Sequence, residues 1–293
     1  TSIAANTDAA ETALTSSIVS AQNALAMSNM DGNFVSGKSS DLKSAFEGSF
    51  TATTFGARVT ITNTDYTIAE LKIINAGTSG QIHFLTSDTA LAGTSSDLAI
   101  ALDGNSNYSG AVTITNSNYT TSELVTINAG TTGSITLDTT NTALSGSAAN
   151  LVLAFAGTVT QHTGAVTITD APNVTQLKTI NAATDGAITL DVTNGAVSGL
   201  AADLVLAFAG TVTEHTGTVT ITDAPNVAQL KAINAATTGA ITLDITNGAL
   251  SGSAADLVLA FAGTVTEHTG TVTITDAPSV TELKTINAAT TGA

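Results

Sequence analysis

A repeat of 53 residues constrains this chain more than any other feature of its sequence. The string Val-Thr-Ile-Thr recurs at intervals of 53, 54, 53 and 53 residues, starting at Val59, Val112, Val166, Val219 and Val272. Residues 166–218 and 219–271 differ at only six of 53 positions. Self-similarity at a fixed period of this length is typical of repeat architectures, in which neighbouring copies share one core.

The repeat divides the chain into six parts. We predict a degenerate N-terminal capping repeat over 1–58, full repeats over 59–111, 112–165, 166–218 and 219–271, and a truncated repeat over 272–293. The first part belongs to the same unit because Val35-Ser36-Gly37 followed by Asp41-Leu42 matches Val197-Ser198-Gly199 followed by Asp203-Leu204. The chain opens on Thr1 rather than Met, and we interpret it as a processed or excised form.

The first half of each repeat predicts a strand and then a short helix. Val219 to Thr222 alternates apolar and polar residues with period two, which is typical of a strand. Val227, Leu230 and Ile233 then recur at helical spacing, which predicts a helix with one buried stripe.

The second half of the repeat predicts the same succession. The stretch Ala240-Ile-Thr-Leu-Asp is a second strand, and Ser253 with Asp256 three residues on resembles a helix-capping arrangement. Leu204 to Ala209, and its equivalents in the other repeats, alternates well enough to be either a helix or a strand. Both alternatives stay open on the sequence alone.

A half-repeat is too small to bury its own apolar side, and stacking solves this problem. Without disulfides, a segment of this size needs neighbours to build a core. Val219, Ile221, Ile241 and Leu243 would line one continuous interior if successive strands stacked about 4.8 Å apart. We therefore predict a repeat solenoid, either strand-turn-short-helix (α/β) or all-β, with stacked parallel strands.

Composition excludes several classes of function. The net charge of −16 leaves little to neutralise phosphates, which argues against nucleic acid and against an anionic membrane surface. The absence of Cys excludes disulfides and thiol-based metal sites. The longest apolar runs, such as Leu204 to Ala209, are far too short for membrane insertion.

The repeats resemble tandem units of very large secreted bacterial cell-surface and extracellular-matrix proteins, especially cyanobacterial ones. The likeness rests on DAPNVAQLKAINAATTGAITLD at 223–244 with SAADLVLAFAG at 253–263, and it extends over 59–293 and weakly over 1–58. It implies an extracellular structural, adhesive or matrix role. Many such proteins bind calcium through glycine-aspartate nonapeptides, but this chain has no Gly-Gly pair, so that property does not carry over.

Repeated aspartates form the candidate metal site. They close the predicted strands and are Asp138, Asp170, Asp191, Asp223, Asp244 and Asp276. If the strands stack, neighbouring carboxylates would come close enough to recruit a weakly bound Ca²⁺, which prefers several oxygen ligands. The favoured alternative is that each Asp caps its own turn or the following helix and points into water.

The repeated histidines and lysines have simpler interpretations. His162, His215 and His268 recur at one position of the repeat, and we predict that they lie in surface loops. Lys178, Lys231 and Lys284 are expected at solvated helix positions, where an ion pair contributes under about 1 kcal/mol.

Threonine pairs flank the buried Ile of each Val-Thr-Ile-Thr string, as Thr220 and Thr222 do. Thr-x-Thr rows of this kind resemble those of ice-binding solenoids, although the intervening strands carry only one Thr, such as Thr242. The alternative is that Thr suits strands and keeps an exposed face soluble.

These observations predict a non-enzymatic extracellular structural protein that assembles head to tail into a fibre, sheath or surface layer. No nucleophile, phosphate-binding or zinc-protease motif occurs, and near-identical repeats offer no residue set that is present only once. Uniform repeats with complementary ends favour open filaments. An adhesin stalk that displays a binding module outside this chain is the alternative, and surface polysaccharide is a further candidate partner.

Overall fold

A computed structural model describes residues 34–47, 56–105, 108–138, 142–190, 195–243 and 248–292. The chain divides into two compact units. The first unit comprises Thr1–Tyr119 and Thr126–Asp138, and the second comprises Thr120–Val125 and Thr139–Ala293. Residues 1–33 and 48–55 of the predicted capping repeat lie outside the described residues.

Short strands and helices make up both units, with one or two strands between successive helices. The strands are β1 (Phe34–Gly37), β2 (Arg58–Ile61), β3 (Ile82–Phe84), β4 (Leu91–Gly93), β5 (Val112–Ile114), β6 (Ile135–Thr136), β7 (Leu144–Gly146), β8 (Val166–Ile168), β9 (Ile188–Leu190), β10 (Val197–Gly199), β11 (Val219–Ile221), β12 (Ile241–Leu243), β13 (Leu250–Gly252) and β14 (Val272–Ile274). The helices are α1 (Ser39–Glu47), α2 (Ile68–Gly77), α3 (Ser95–Leu102), α4 (Thr121–Gly130), α5 (Ala148–Ala154), α6 (Val174–Ala183), α7 (Ala201–Ala207), α8 (Val227–Ala235), α9 (Ala254–Ala260) and α10 (Val280–Ala288).

The strands form small parallel sheets. The first unit holds the sheets β1-β2-β3 and β4-β5-β6, and the second holds β7-β8-β9, β10-β11-β12 and the pair β13-β14. Each strand is in register with the next, so that Val197, Val219 and Ile241 are neighbours across one sheet. The protein is therefore an α/β repeat fold, the coarser part of the prediction.

Two kinds of strand–helix segment alternate. A Gly segment is a strand that ends in glycine plus the shorter helix after it, such as β10-α7 or β13-α9. A VTI segment is a strand of the Val-Thr-Ile type plus the longer helix after it, such as β11-α8 or β14-α10. In the second unit the helices of successive segments pack on one another from α5 to α10.

The sequence predicted two strands per repeat, and the structure has three. The missed strand, Leu250–Gly252 in one copy, lies between β12 and the shorter helix and pairs with β14. Three residues ending in glycine carry almost no strand pattern, because period-two alternation needs a longer run. The strand forms because it pairs with the following VTI strand. In this pairing the Leu250 N–H donates to the Thr271 carbonyl at 2.8 Å.

The shorter helix settles the ambiguity at 204–209. Residues Ala201–Ala207 form an α-helix because Ala201, Leu204 and Ala207 fall on one buried face. In the equivalent copy the predicted cap is confirmed, since Ser253 Oγ accepts from the Asp256 N–H at 3.2 Å.

The predicted core residues are buried. The apolar residues of strands β11 and β12 are all buried, and they are Val219, Ile221, Ile241 and Leu243. The predicted stripe of α8, which comprises Val227, Leu230 and Ile233, is buried as well.

At two positions of the repeat the backbone conformation or a close contact requires glycine. Gly104, Gly157, Gly210 and Gly263 follow the shorter helices with φ near 70°, a left-handed conformation that L-residues rarely adopt. At Gly239 a Cβ atom would lie 1.8 Å from the Gly217 carbonyl oxygen, so the two turns approach this closely only because Gly239 lacks a side chain.

Candidate functional site

The repeated aspartates cap helices of the neighbouring segment. Asp223 follows β11, and its Oδ1 accepts from the N–H of Ala201, the first residue of α7, at 2.7 Å. Asp170 does the same for Ala148 at 2.7 Å, and Asp276 does so for Ala254 at 2.8 Å. A negative charge at a helix start satisfies an otherwise unbonded donor and complements the helix dipole.

The first unit uses asparagine for the same purpose. Asn63 Oδ1 accepts from the Ser39 N–H at 2.7 Å, and Asn116 Oδ1 accepts from the Ser95 N–H at 2.7 Å. Their amide groups also donate to the serine hydroxyls, at 2.9 Å for Ser39 and 3.1 Å for Ser95. Asn is thus combined with Ser at the helix start, and Asp with Ala.

The favoured alternative for these aspartates was therefore right about capping but wrong about which helix is capped. Of the other predicted ligands, Asp138 lies just after β6, while Asp191 and Asp244 lie outside the described residues. Among the described residues, no group of three or more His, Cys, Asp or Glu side chains could hold a metal ion. Weak calcium binding by this set stays a prediction.

The surface position predicted for the histidines was wrong. His162, His215 and His268 are all buried, and each ring lies against a phenylalanine at the end of the preceding short helix. Burial lowers the pKa of all three imidazoles, and nearby backbone groups of Ala165 and Thr218 partly oppose this for the first two.

The lysines of the longer helices bridge to the next segment. Lys178 Nζ lies 2.6 Å from Asp203 Oδ1, Lys231 Nζ lies 2.6 Å from Asp256 Oδ1, and Lys72 pairs with Asp97 in the same way. The hydrogen bond from Lys231 holds the pKa of Asp256 below its usual value. Two of the three predicted solvated lysines are thus half-exposed partners of an ion pair.

A groove of about 360 Å³ marks the seam between one VTI segment and the following Gly segment. It is lined by Asn226, Val227, Ala228, Lys231, Ser251, Gly252 and Asp256. Most of these residues hold the two segments together, so the groove belongs to the packing of the repeat.

Small hydroxyl side chains form rows across the sheets. Ser198, Thr220 and Thr242 are in register across β10, β11 and β12, and all three are exposed or half-exposed. The same row recurs in the β7-β8-β9 sheet as Ser145, Thr167 and Thr189. Ice binding through such rows stays a prediction.

The last helix exposes the stripe that its equivalents bury. Val280 is 72% exposed and Leu283 is 50% exposed, whereas Val227 and Leu230 at the same positions of α8 are 7% and 0% exposed. Sequence reasoning missed this surface because the pattern of α10 is identical in kind to that of the buried helices.

No family model, no curated protein and no solved structure matches this chain. No helix in the described part of the chain is long and apolar enough to span a bilayer.

Proposed function

We propose that this chain is a non-enzymatic structural repeat protein of the cell exterior. Its segments stack as a solenoid, and its copies join end to end into a fibre, sheath or surface layer. The observation that carries the proposal is that a longer helix buries its apolar stripe against the following Gly segment, as α8 buries Val227 and Leu230 against β13-α9. Helix α10 carries the same stripe, formed by Val280 and Leu283, and needs an equivalent cover.

The interior of the repeat indicates what kind of partner fits this stripe. Val227 of α8 lies over Gly252, where an added Cβ would come within 3.2 Å of a valine methyl. Helix α8 also packs on α9 of the same Gly segment, and Lys231 pairs with Asp256 there. A partner for α10 therefore needs a strand that ends in glycine, a short helix after it, and a carboxylate on the first turn of that helix.

The chain's own first described segment has these features. Strand β1 ends at Gly37, and α1 carries Asp41 at the position of Asp256. Lys284 occupies the position of Lys231 on α10, and both Lys284 and Asp41 are exposed. The occupant that we propose is the β1-α1 segment of a second copy, with Val280 over Gly37 and Lys284 beside Asp41.

Other features support a structural role. The near-identical repeats 166–218 and 219–271 duplicate almost every side chain, whereas a single active site would need a residue set that occurs once. The net charge of −16 would make copies repel one another at low ionic strength. Salt would screen this repulsion and so favour association. The likeness to repeats of secreted surface proteins favours the cell exterior.

Association is tested by the molar mass of the protein, measured by multi-angle light scattering over a concentration series at 150 mM salt. We expect the mass of the unaltered chain to rise past that of a dimer. Leu283→Glu should weaken association by more than tenfold, because it places a charge in an apolar contact. The matched control is Thr281→Glu, since position 281 and its equivalents, Thr175 and Ala228, are all exposed.

A charge exchange tests the orientation of the joint. Lys284→Glu and Asp41→Lys should each weaken association about two- to fivefold, the effect expected of a half-exposed ion pair. The double variant should recover it, because the pair re-forms with opposite polarity. A chain that stays monomeric at every concentration would refute end-to-end assembly and favour the adhesin stalk.

A further inference from the structure

Three histidines of the second unit are buried at the same position of successive repeats. The ring centroids of His162, His215 and His268 lie 5.9, 5.5 and 5.9 Å from those of Phe155, Phe208 and Phe261. Both ring nitrogens of His268 are buried and have no hydrogen-bond partner. Burial disfavours an imidazolium at all three positions because the charge loses its contact with water, and backbone groups of Ala165 and Thr218 oppose this only in part at His162 and His215.

The backbone on either side of each histidine is fastened to the next segment. The His215 N–H donates to the Ala236 carbonyl at 2.9 Å, and its own carbonyl accepts from Thr237 Oγ1 at 2.7 Å and from the Thr238 N–H at 2.9 Å. The same bonds recur around His162 and His268. An imidazolium therefore reaches water only if neighbouring segments separate.

Charged side chains on the surrounding elements lie in solvent or pair with one another. For His215 these elements carry Glu214 on the same turn, Asp203 on α7 and Lys231 on α8. Glu214 is exposed, Asp203 pairs with Lys178, and Lys231 pairs with Asp256. His268 has Glu267 beside it, Asp256 on α9 and Lys284 on α10. His162 has Asp185, which follows its bridge partner Thr184, and Lys178 on α6.

The first unit fills the same position with residues that carry no titratable imidazole. Four residues before the Val-Thr-Ile strand, where the second unit has histidine, Tyr108 precedes Val112 and Phe55 precedes Val59. Tyr108 is buried, and its ring lies 5.3 Å from that of Phe84. Among the described residues this position therefore holds a buried aromatic ring at Tyr108 and a buried imidazole in the second unit.

We infer that the three histidines make the second unit acid-labile, so that its segments separate at mildly acidic pH while the first unit stays closed. Protons bind the opened form preferentially, since there the imidazoles have the ordinary pKa near 6.5. Stability is therefore full above that pH and is lost as the pH falls below it. At pH 5 each histidine multiplies the opening equilibrium by up to about 30-fold, and three multiply it by up to about 30,000-fold.

Hydrogen exchange read by mass spectrometry tests this inference, because it follows each unit separately. Protection factors are compared at pH 7.5 and pH 5 for the unaltered chain and for the His162→Phe/His215→Phe/His268→Phe variant. The protein is kept at a concentration where light scattering gives the mass of one chain, so the outcome does not depend on end-to-end assembly. We expect protection at pH 5 to fall by at least 100-fold in the second unit of the unaltered chain, and to be retained in its first unit and in the variant.

Two results would overturn the inference: retained protection of the second unit at pH 5, or an equal loss in the triple variant. If the triple variant does not fold, the Cε1–H signals of the unaltered chain decide. Signals of the three histidines that titrate near pH 6.5 in the folded protein would contradict it. Signals that change only together with unfolding would support it.

Discussion

Removing the Asp223 carboxylate tests whether capping between segments stabilises the repeat. Ala201 is fully buried and its N–H donates to Asp223 Oδ1 at 2.7 Å. Leu200, the N-cap residue of α7, makes no side-chain cap of its own. Asp223→Ala therefore leaves a buried donor without a side-chain acceptor, and the expected loss in the free energy of unfolding is about 2 kcal/mol.

Asparagine should replace Asp223 in part, because Asn63 and Asn116 cap the equivalent helices in the first unit. Asp223→Asn keeps the acceptor but gives up the charge at the helix start, at a cost of about 0.3–1 kcal/mol. Its amide also lacks the serine hydroxyl that Ser39 and Ser95 supply. Adding Ala201→Ser should recover about 0.5–1 kcal/mol by restoring that bond.

Urea unfolding of the four proteins measures these differences as shifts of the midpoint at an unchanged m-value. Asp185→Thr is the matched control, since Asp185 is exposed and Thr238 stands at its position in the next repeat. A free energy of unfolding for Asp223→Ala within about 0.5 kcal/mol of the unaltered chain would contradict capping between segments. An Asp223→Asn variant no more stable than Asp223→Ala would contradict it as well.

Two other substitutions test the packing of the same segments. Leu200→Ser should raise the free energy of unfolding by about 1 kcal/mol in the urea assay, because Ser253 at the equivalent position caps its helix; an unchanged midpoint would count against it. Gly239→Ala should lower it by at least about 2 kcal/mol, because the new Cβ would lie 1.8 Å from the Gly217 oxygen. A Gly239→Ala variant that unfolds at the urea midpoint of the unaltered chain would contradict the claim that the close approach of the two turns stabilises the repeat.

The repeat and the buried faces were readable from the sequence because they depend on local pattern. Val219 and Ile221 alternate with threonine, and Val227, Leu230 and Ile233 recur at helical spacing, so their burial follows from periodicity alone. The strand Leu250–Gly252 could not be predicted from the sequence, because its formation depends on pairing with β14 rather than on its own residues.

Contacts between segments were harder to predict because they depend on register. Asp223 reaches back 22 residues to Ala201, and no local pattern gives that distance. One signal was present: Asp stands where the helix starts with Ala, and Asn where it starts with Ser. The burial of the histidines had a signal as well, since Tyr108 and Phe55 occupy their position in earlier repeats and aromatic rings usually pack inside.

The spacing of these contacts identifies the element that stacks. Val197 pairs with Val219, and Val219 with Ile241, at steps of 22 residues. The aspartate caps and the bridges from histidine to threonine span the same 22 residues. Successive strands of the β10-β11-β12 sheet therefore stack at steps of 22 residues, whether a helix follows the strand, as after β10 and β11, or the next strand follows it, as after β12. The 53-residue repeat is the distance over which this set of three strands and two helices recurs. Each segment covers its apolar stripe and completes its caps on a neighbouring segment, and the end-to-end joint that we propose repeats between copies the contact of α8 with α9.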